Sequence, residues 1–94
     1  MNKRFIKTDQ APAAIGPYSQ AVRVGDYLYI SGQIALDPYT GKFLSGEIEQ
    51  ETEKTIQNIH AILQSDGLHL DNVVKTTVYL SNLSHFTRMN QVYE

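Results

Sequence analysis

The sequence predicts a single α+β domain in which a mixed sheet packs against helices. A two-residue hairpin signal, Gly25-Asp26, separates two strand-like segments that end at Val24 and begin at Tyr27. Residues 47–66 have the apolar spacing of an amphipathic helix. The alternating segment Val73–Ser81 follows, and a strand, helix and strand in this order imply a parallel pair with a right-handed crossover.

Size and charge restrict the classes of partner. A chain of 94 residues suits one domain with a modest core, which a partner subunit would stabilise. The formal net charge is −2 and the eight basic residues are scattered, so we expect no phosphate-driven nucleic-acid partner. The absence of cysteine excludes disulfides, thiolate nucleophiles and cysteine-bound metals.

The beginning of the chain does not have the pattern of a secretory signal. The basic stretch Met1–Lys7 is followed by the polar residues Thr8-Asp9-Gln10 rather than by an apolar region. No apolar run is long enough to span a membrane. We therefore expect a soluble cytoplasmic protein without a membrane partner.

The sequence of the first third of the chain predicts an edge strand, a loop and a hairpin. Lys3–Thr8 fits a short edge strand and Asp9–Ile15 a loop. Gly16-Pro17 is a turn signal that places Tyr18 on a stiff support. Gln20–Val24 is predicted to be the first hairpin strand.

The second hairpin strand is predicted over Tyr27–Leu36 because its residues alternate. One face is expected to be the core, with Gly32 allowing close backbone approach: Leu28, Ile30, Gly32, Ile34 and Leu36. The other face carries Tyr27, Tyr29, Ser31, Gln33 and Ala35. A turn follows at Asp37–Gly41.

The long helix is predicted over Glu47–Asp66, with Gly67 at the position of a C′ glycine. Its apolar face is expected to contain Thr52, Ile56, Ile59 and Leu63. The glutamates at 47, 49, 51 and 53 favour a solvated acidic first turn over a metal site, since no shaped ligand loop accompanies them.

A last helix is predicted over Ser84–Glu94, with Phe86, Met89 or Asn90, and Tyr93 on one side. The sequence stops there without a helix C-cap. We therefore expect the chain as given to be shorter than the domain to which it corresponds.

Tyr18 and Ser31 are the first candidate site residues, and they have two interpretations. They are either a loop aromatic and an ordinary strand residue, or a hydroxyl that acts with the Gly32 amide to bind a small anion or water. Ser31 lacks a nucleophile-elbow motif. The histidines at 60, 69 and 85 lack metal-ligand spacing, and no phosphate loop or cofactor motif occurs.

Tyrosines 27, 29 and 79 occupy the strand faces opposite the aliphatic ones. Such residues stack bases in some nucleic-acid binders. Because no basic residues surround them here, the sequence favours burial of this face against another subunit.

Motifs spread over nearly the whole chain occur together in one known family. The most specific are Gly16-Pro-Tyr-Ser-Gln-Ala21 and Tyr29-Ile-Ser-Gly-Gln-Ile34. Others are Ala11-Pro12, Gln50, Thr55-Ile-Gln-Asn-Ile59, Gly67, Val74-Lys-Thr-Thr-Val-Tyr-Leu80, Phe86 and Met89-Asn-Gln-Val-Tyr93. With these motifs the chain resembles the RidA/YjgF family of reactive-intermediate deaminases.

The resemblance implies a chorismate-mutase-like fold, a mixed sheet with two helices on one face, and a homotrimer with clefts between subunits. It also implies hydrolysis of enamines and imines such as 2-aminoacrylate and 2-iminobutanoate to 2-keto acids and ammonia, without a cofactor or metal. At matching positions, Tyr18 would close the cleft, Ser31 and Gly32 would contact the substrate, and Asn90 would line the wall.

The resemblance also implies two catalytic groups that lie beyond Glu94. One is an arginine that binds the substrate carboxylate, and the other is a glutamate that positions water. Arg23 and Arg88 do not match the arginine motif, so the chain as given is expected to be inactive alone. The alternatives are a non-catalytic metabolite-binding or trimeric interaction module and, less favoured by the acidic charge balance, a ribonuclease or translation inhibitor.

Overall fold

The computed structural model describes residues 3–16, 18–44 and 46–93, in which one antiparallel sheet is layered against helices. The strands are β1 (Lys3–Ile6), β2 (Ala21–Val24) and β3 (Tyr27–Ile30). The helices are α1 (Ile48–Ser65) and α2 (Phe86–Tyr93), with short 3-10 helices at Leu70–Asn72 and Leu83–His85. The α+β fold class is confirmed, with α1 packed on the sheet and α2 packed on α1.

The hairpin between β2 and β3 forms as predicted. Val24 pairs with Tyr27, and Gly25 has a φ of 60°, in the left-handed region that glycine adopts without strain. β1 pairs antiparallel with the other edge of β2, so β2 lies in the middle of the sheet. The predicted extension of β1 to Thr8 does not form, because the Thr8 N–H donates to the Gln20 side chain.

One face of the sheet packs against α1. Ile6, Ala21 and Ile30 align across the three strands, and Ile62 of α1 packs onto them. The opposite face carries Tyr27 and Tyr29, each 63% exposed. The predicted alternation is therefore confirmed within β3.

Beyond Ile30 the predicted strand Tyr27–Leu36 is wrong. The Leu36 N–H donates to the Ile34 carbonyl two residues earlier, so the backbone turns rather than continuing a ladder. The turn reverses the faces: Ile34 is 56% exposed, whereas Ala35 is 2% exposed. Leu36 then forms an isolated antiparallel bridge with Phe43.

The long helix forms close to its predicted limits. Glu47 is its N-cap, and the Gln50 side chain accepts a hydrogen bond from the Glu47 N–H. Gly67 has a φ of 75° just past the C-cap, as a C′ glycine does. The predicted buried face is only partly correct: Ile56 and Ile59 are half-buried, and the buried positions are Thr52, Asn58, Ile62 and Leu63.

A buried carboxylate ties the end of α1 to the sheet. Asp66 is the C-cap residue, and its side chain is 2% exposed. Arg4 of β1 and Arg23 of β2 bind its two oxygens at 2.5 and 2.8 Å. Because the helix dipole disfavours negative charge at this end, the two guanidinium groups are what make a carboxylate tolerable here.

The predicted strand Val73–Ser81 and its parallel pairing do not form among the described residues. No described strand pairs with this segment, which is exposed except at Leu80, and the sheet of the described residues is antiparallel rather than mixed. A strand requires a neighbour for its N–H and C=O groups, and the hydrophobic alternation of a sequence does not supply one.

The last helix begins with the 3-10 turn at Leu83–His85, where the Asn82 side chain accepts the Ser84 N–H. Of its predicted apolar side, Met89 is buried, whereas Phe86 is 55% and Tyr93 39% exposed. The predicted end at Glu94 lies outside the described residues, as does Pro17 of the predicted turn. None of the helices in the described ranges is long and apolar enough to cross a membrane.

Candidate functional site

The loop that carries Tyr18 is held in place by a buried side-chain amide. Gln20, immediately before β2, is 4% exposed. Its Nε2 donates to the carbonyls of Thr8, Ala11 and Pro12, at 3.0, 3.1 and 2.7 Å, and its Oε1 accepts the Thr8 N–H at 2.7 Å. The amide thus replaces the strand pairing that this loop lacks.

Ser31 joins this loop to the end of β3. Its N–H donates to the Gln20 carbonyl at 3.0 Å, and its hydroxyl donates to the Ser19 carbonyl at 2.5 Å. The hydroxyl proton is therefore committed to the protein, whereas the oxygen lone pairs can still accept a hydrogen bond. This geometry suits a ligand N–H or a water and does not activate a nucleophile, which would need an adjacent base.

Tyr18 and Gly32 are the chain neighbours of this junction, because Tyr18 precedes Ser19 and Gly32 follows Ser31. Tyr18 is mostly exposed, and its ring lies beside Gly16, whose φ is 78°. Gly32 is exposed, and within the described part of the chain no atom lies within 4 Å of the point where a Cβ would project. The predicted close approach of backbone to Gly32 is therefore not made by these residues, and the space beside it is open.

Asn90 lies on a different element, in the helical layer. It is half-buried on α2, which packs against α1. The structure thus connects Tyr18, Ser31 and Gly32 through one backbone junction and places Asn90 on a separate element. The roles of the four residues in binding remain predictions.

The position of α2 is set by a charged contact with the first turn of α1. Arg88 Nε and Nη2 donate to the two carboxylate oxygens of Glu49, at 3.0 and 2.6 Å, and Nη2 also donates to Glu47 at 2.5 Å. The hydrogen bond from Arg88 lowers the pKa of Glu49, and the hydrogen bonds to Glu49 and Glu47 raise the pKa of Arg88. Since Arg23 binds Asp66, both arginines considered in the sequence are engaged in ion pairs.

The Glu49 contact predicts a pH dependence. A carboxyl whose pKa is lowered by folding contributes stability above its unfolded pKa and loses it as the pH falls through the folded value. We expect the urea concentration at the unfolding midpoint to decrease as the pH is lowered from about 5 to about 3. In Glu49→Gln this decrease should be smaller. Glu53→Gln, one turn further along α1, is the matched control and should keep the wild-type slope; equal slopes for both variants would contradict the contact.

Two shallow grooves lie elsewhere on the surface. The larger, of about 460 Å³, is lined by Glu53, Ile56, Gln57, His60, Leu70 and Val92. The other, of about 380 Å³, is lined by Leu44, Gln50, Glu53, Lys54 and Gln57. Neither groove is lined by any of the four predicted site residues, Tyr18, Ser31, Gly32 and Asn90.

Sequence reasoning missed two buried amides near the site, Gln20 and Asn58. Asn58 of α1 is 1% exposed, and it donates to the carbonyls of Ile34 and Leu36. The available signal was its position four residues before Ile62 on the helix, which places both side chains on one face. A polar residue on a buried helical face indicates a hydrogen-bond partner across the interface.

Comparison with known proteins identifies related chains over nearly the whole length. A family model described as Endoribonuclease L-PSP matches residues 8–94. A RutC family protein of Pyrococcus abyssi is 50% identical over 93 residues, which are 99% of this chain and 73% of the relative. Human 2-iminobutanoate/2-iminopropanoate deaminase is 46% identical over 92 residues, which are 98% of this chain and 67% of the relative.

The same relationship holds for a solved structure. E. coli TdcF with bound serine superposes with a TM-score of 0.91 at 36% identity, covering 96% of this chain and 70% of that one. The similarity therefore extends through the Tyr18 loop, the Ser31-Gly32 junction and the two helices.

Proposed function

Because this chain belongs to the Endoribonuclease L-PSP family and is 46% identical to a 2-iminobutanoate/2-iminopropanoate deaminase, we propose that it is a reactive-intermediate deaminase domain. Its substrates are small 2-imino acids and their enamine tautomers. Water adds to the C=N carbon, the C–N bond breaks, and a 2-keto acid and ammonia are released. No metal or cofactor takes part.

The observation that carries the proposal is the junction of the Tyr18 loop with Ser31 and Gly32. The Ser31 hydroxyl donates to Ser19, which leaves its oxygen to accept the N–H of an imine or ammonium group. The open space beside Gly32 admits a small ligand to the backbone. Tyr18 covers the ligand and Asn90 lines the wall, as the family resemblance implies.

We propose further that the chain acts as a homotrimer in which each cleft lies between subunits. The outer face of the sheet supports this, because Phe5, Val22 and Tyr29 lie opposite one another in the strand register, and both aromatic residues are largely exposed. Contiguous apolar surface of this kind is typical of an interface. A cleft completed by a neighbour also accounts for the open surroundings of Gly32.

Two alternatives share the same surface. A metabolite-binding module would bind a 2-keto acid without turnover. A ribonuclease is suggested only by the description of the family, and the net charge of −2 opposes binding to RNA.

The test uses the 94-residue chain with 2-ketobutanoate, the keto acid that 2-iminobutanoate yields on hydrolysis. We expect titration of ¹⁵N-labelled protein to shift the Ser31 and Gly32 amide resonances saturably. Ammonia release from freshly generated 2-aminoacrylate, measured against buffer with a longer version of the domain that includes the arginine and glutamate implied beyond Glu94, then separates a deaminase from a binding module. Absence of both binding and turnover, or cleavage of RNA, would overturn the proposal. Ser31→Ala is the variant that alters the site, and Ser65→Ala is its matched control.

A further inference from the structure

Asn58 reaches from α1 to the backbone that follows the candidate site. Its Nδ2 donates to the carbonyls of Ile34 and Leu36, both at 3.0 Å. A side-chain amide has two N–H donors, so both are used on this one stretch of chain. The side chain is 1% exposed, which excludes water as a substitute partner.

The stretch that Asn58 binds belongs to none of the three strands, and its far end forms the isolated bridge of Leu36 with Phe43, where the Leu44 N–H donates to the Ala35 carbonyl. Residues 31–36 lie beyond the end of β3, and their first residue is anchored by the bonds of Ser31 to Ser19 and Gln20. Further along, the Leu36 N–H and the Asn58 amide both donate to the Ile34 carbonyl. Gly32 therefore lies between two anchors, one on the Tyr18 loop and one on α1.

We propose that Asn58 is a positioning residue for the ligand site, an inference that rests on the proposed function. By holding the carbonyls of Ile34 and Leu36, it fixes the direction in which Ser31 and Gly32 face a small imino or keto acid. Preorganised groups bind more tightly because less conformational freedom is lost on binding. An amide is required, since an aliphatic side chain would take the Asn58 donor from the Leu36 carbonyl and leave the Ile34 carbonyl with the Leu36 N–H alone, and a carboxylate would repel both carbonyls.

The test replaces the two donors without changing the shape of the side chain. In the 94-residue chain, Asn58→Asp should speed amide hydrogen exchange at residues 32–36 relative to the β1–β2 ladder. It should also weaken 2-ketobutanoate binding by about tenfold. Comparison with the ladder separates local loosening from a general loss of stability.

Thr52→Val is the matched control. Thr52 is also a buried polar residue of α1, but its hydroxyl donates to the Ile48 carbonyl of the same helix at 2.7 Å. The control should leave both the exchange ratio and the affinity at wild-type values.

Each outcome has a distinct meaning. Unchanged exchange at residues 32–36 in Asn58→Asp, or faster exchange with unchanged affinity, overturns the positioning role. If the wild-type chain does not bind 2-ketobutanoate, the proposed function fails and the positioning role fails with it; the exchange ratio then reports only whether Asn58 anchors the backbone. If Asn58→Asp does not fold, titration of the wild-type chain decides: the Asn58 side-chain amide resonances should move with those of Gly32, and a constant Asn58 signal overturns the inference.

Discussion

Gln20→Met is expected to lower the free energy of unfolding by about 3 kcal/mol, as judged from urea denaturation followed by circular dichroism. The Gln20 amide makes hydrogen bonds with Thr8, Ala11 and Pro12 in a largely buried setting. Methionine fills a similar volume but leaves those backbone groups without partners. A loss of this size is a large fraction of the roughly 5–10 kcal/mol that holds a small domain together.

The control for this variant is Gln64→Met, an exposed position on α1 that should change stability by less than about 0.5 kcal/mol. Gln20→Glu tests the direction of the hydrogen bonds. It keeps the acceptor for the Thr8 N–H but turns a second oxygen toward three carbonyls, so it should destabilise as well. If Gln20→Glu were as stable as wild type, donation by the Gln20 amide would not be what holds the loop.

The parts of the fold that the sequence predicted are those decided by neighbouring residues. The hairpin at Gly25-Asp26 and the end of α1 at Gly67 both require a positive φ at a glycine, which local sequence reveals. The long helix was predicted because an apolar repeat runs from Thr52 to Leu63, about three helical turns. The placement of Tyr27 and Tyr29 on the face of β3 opposite α1 was predicted from the alternation of apolar residues along the strand.

The parts that were missed depend on partners distant in sequence. Asn58 is 22 and 24 residues from the carbonyls it binds, and Arg23 is 43 residues from Asp66. Periodicity treats such polar residues as solvent-facing, so it assigned Ile56 rather than Asn58 to the core. A buried polar residue is favourable only when its specific partner is present, and hydropathy alone does not identify that partner.

The identity of the candidate site residues stays a prediction, and their geometry was not predictable from the sequence. Motif resemblance selected Tyr18, Ser31, Gly32 and Asn90, and the structure bonds Ser31 to Ser19 and Gln20, the residues that follow Tyr18. The early end of β3 decides how Gly32 is presented, and no alternation pattern contains that information. Similarly, the apolar alternation of Val73–Ser81 predicted a strand that the described residues do not pair.

Tyr29→Lys is expected to convert the proposed trimer to a monomer in sedimentation-velocity experiments. Tyr29 lies at the edge of a row formed with Val22 and Phe5 across the three strands, on the face opposite α1. Burying an aromatic side chain of this size contributes about 2 kcal/mol, and a lysine at the same point would have to be desolvated in the interface. Since each subunit presents this face, three copies of the change act on one assembly.

Tyr39→Lys is the matched control, because Tyr39 is similarly exposed but lies in the turn after Asp37 and bonds Gln10 through its hydroxyl. It should leave the sedimentation coefficient unchanged. A wild-type chain that sediments as a monomer at all concentrations would contradict the proposed assembly, and a trimeric Tyr29→Lys variant would contradict the role of the sheet face. A further result would link the site to the interface: a monomeric Tyr29→Lys variant that keeps its hairpin amide signals but no longer binds 2-ketobutanoate. In that variant Ser31 and Gly32 are unchanged, and only the neighbouring subunit has been removed.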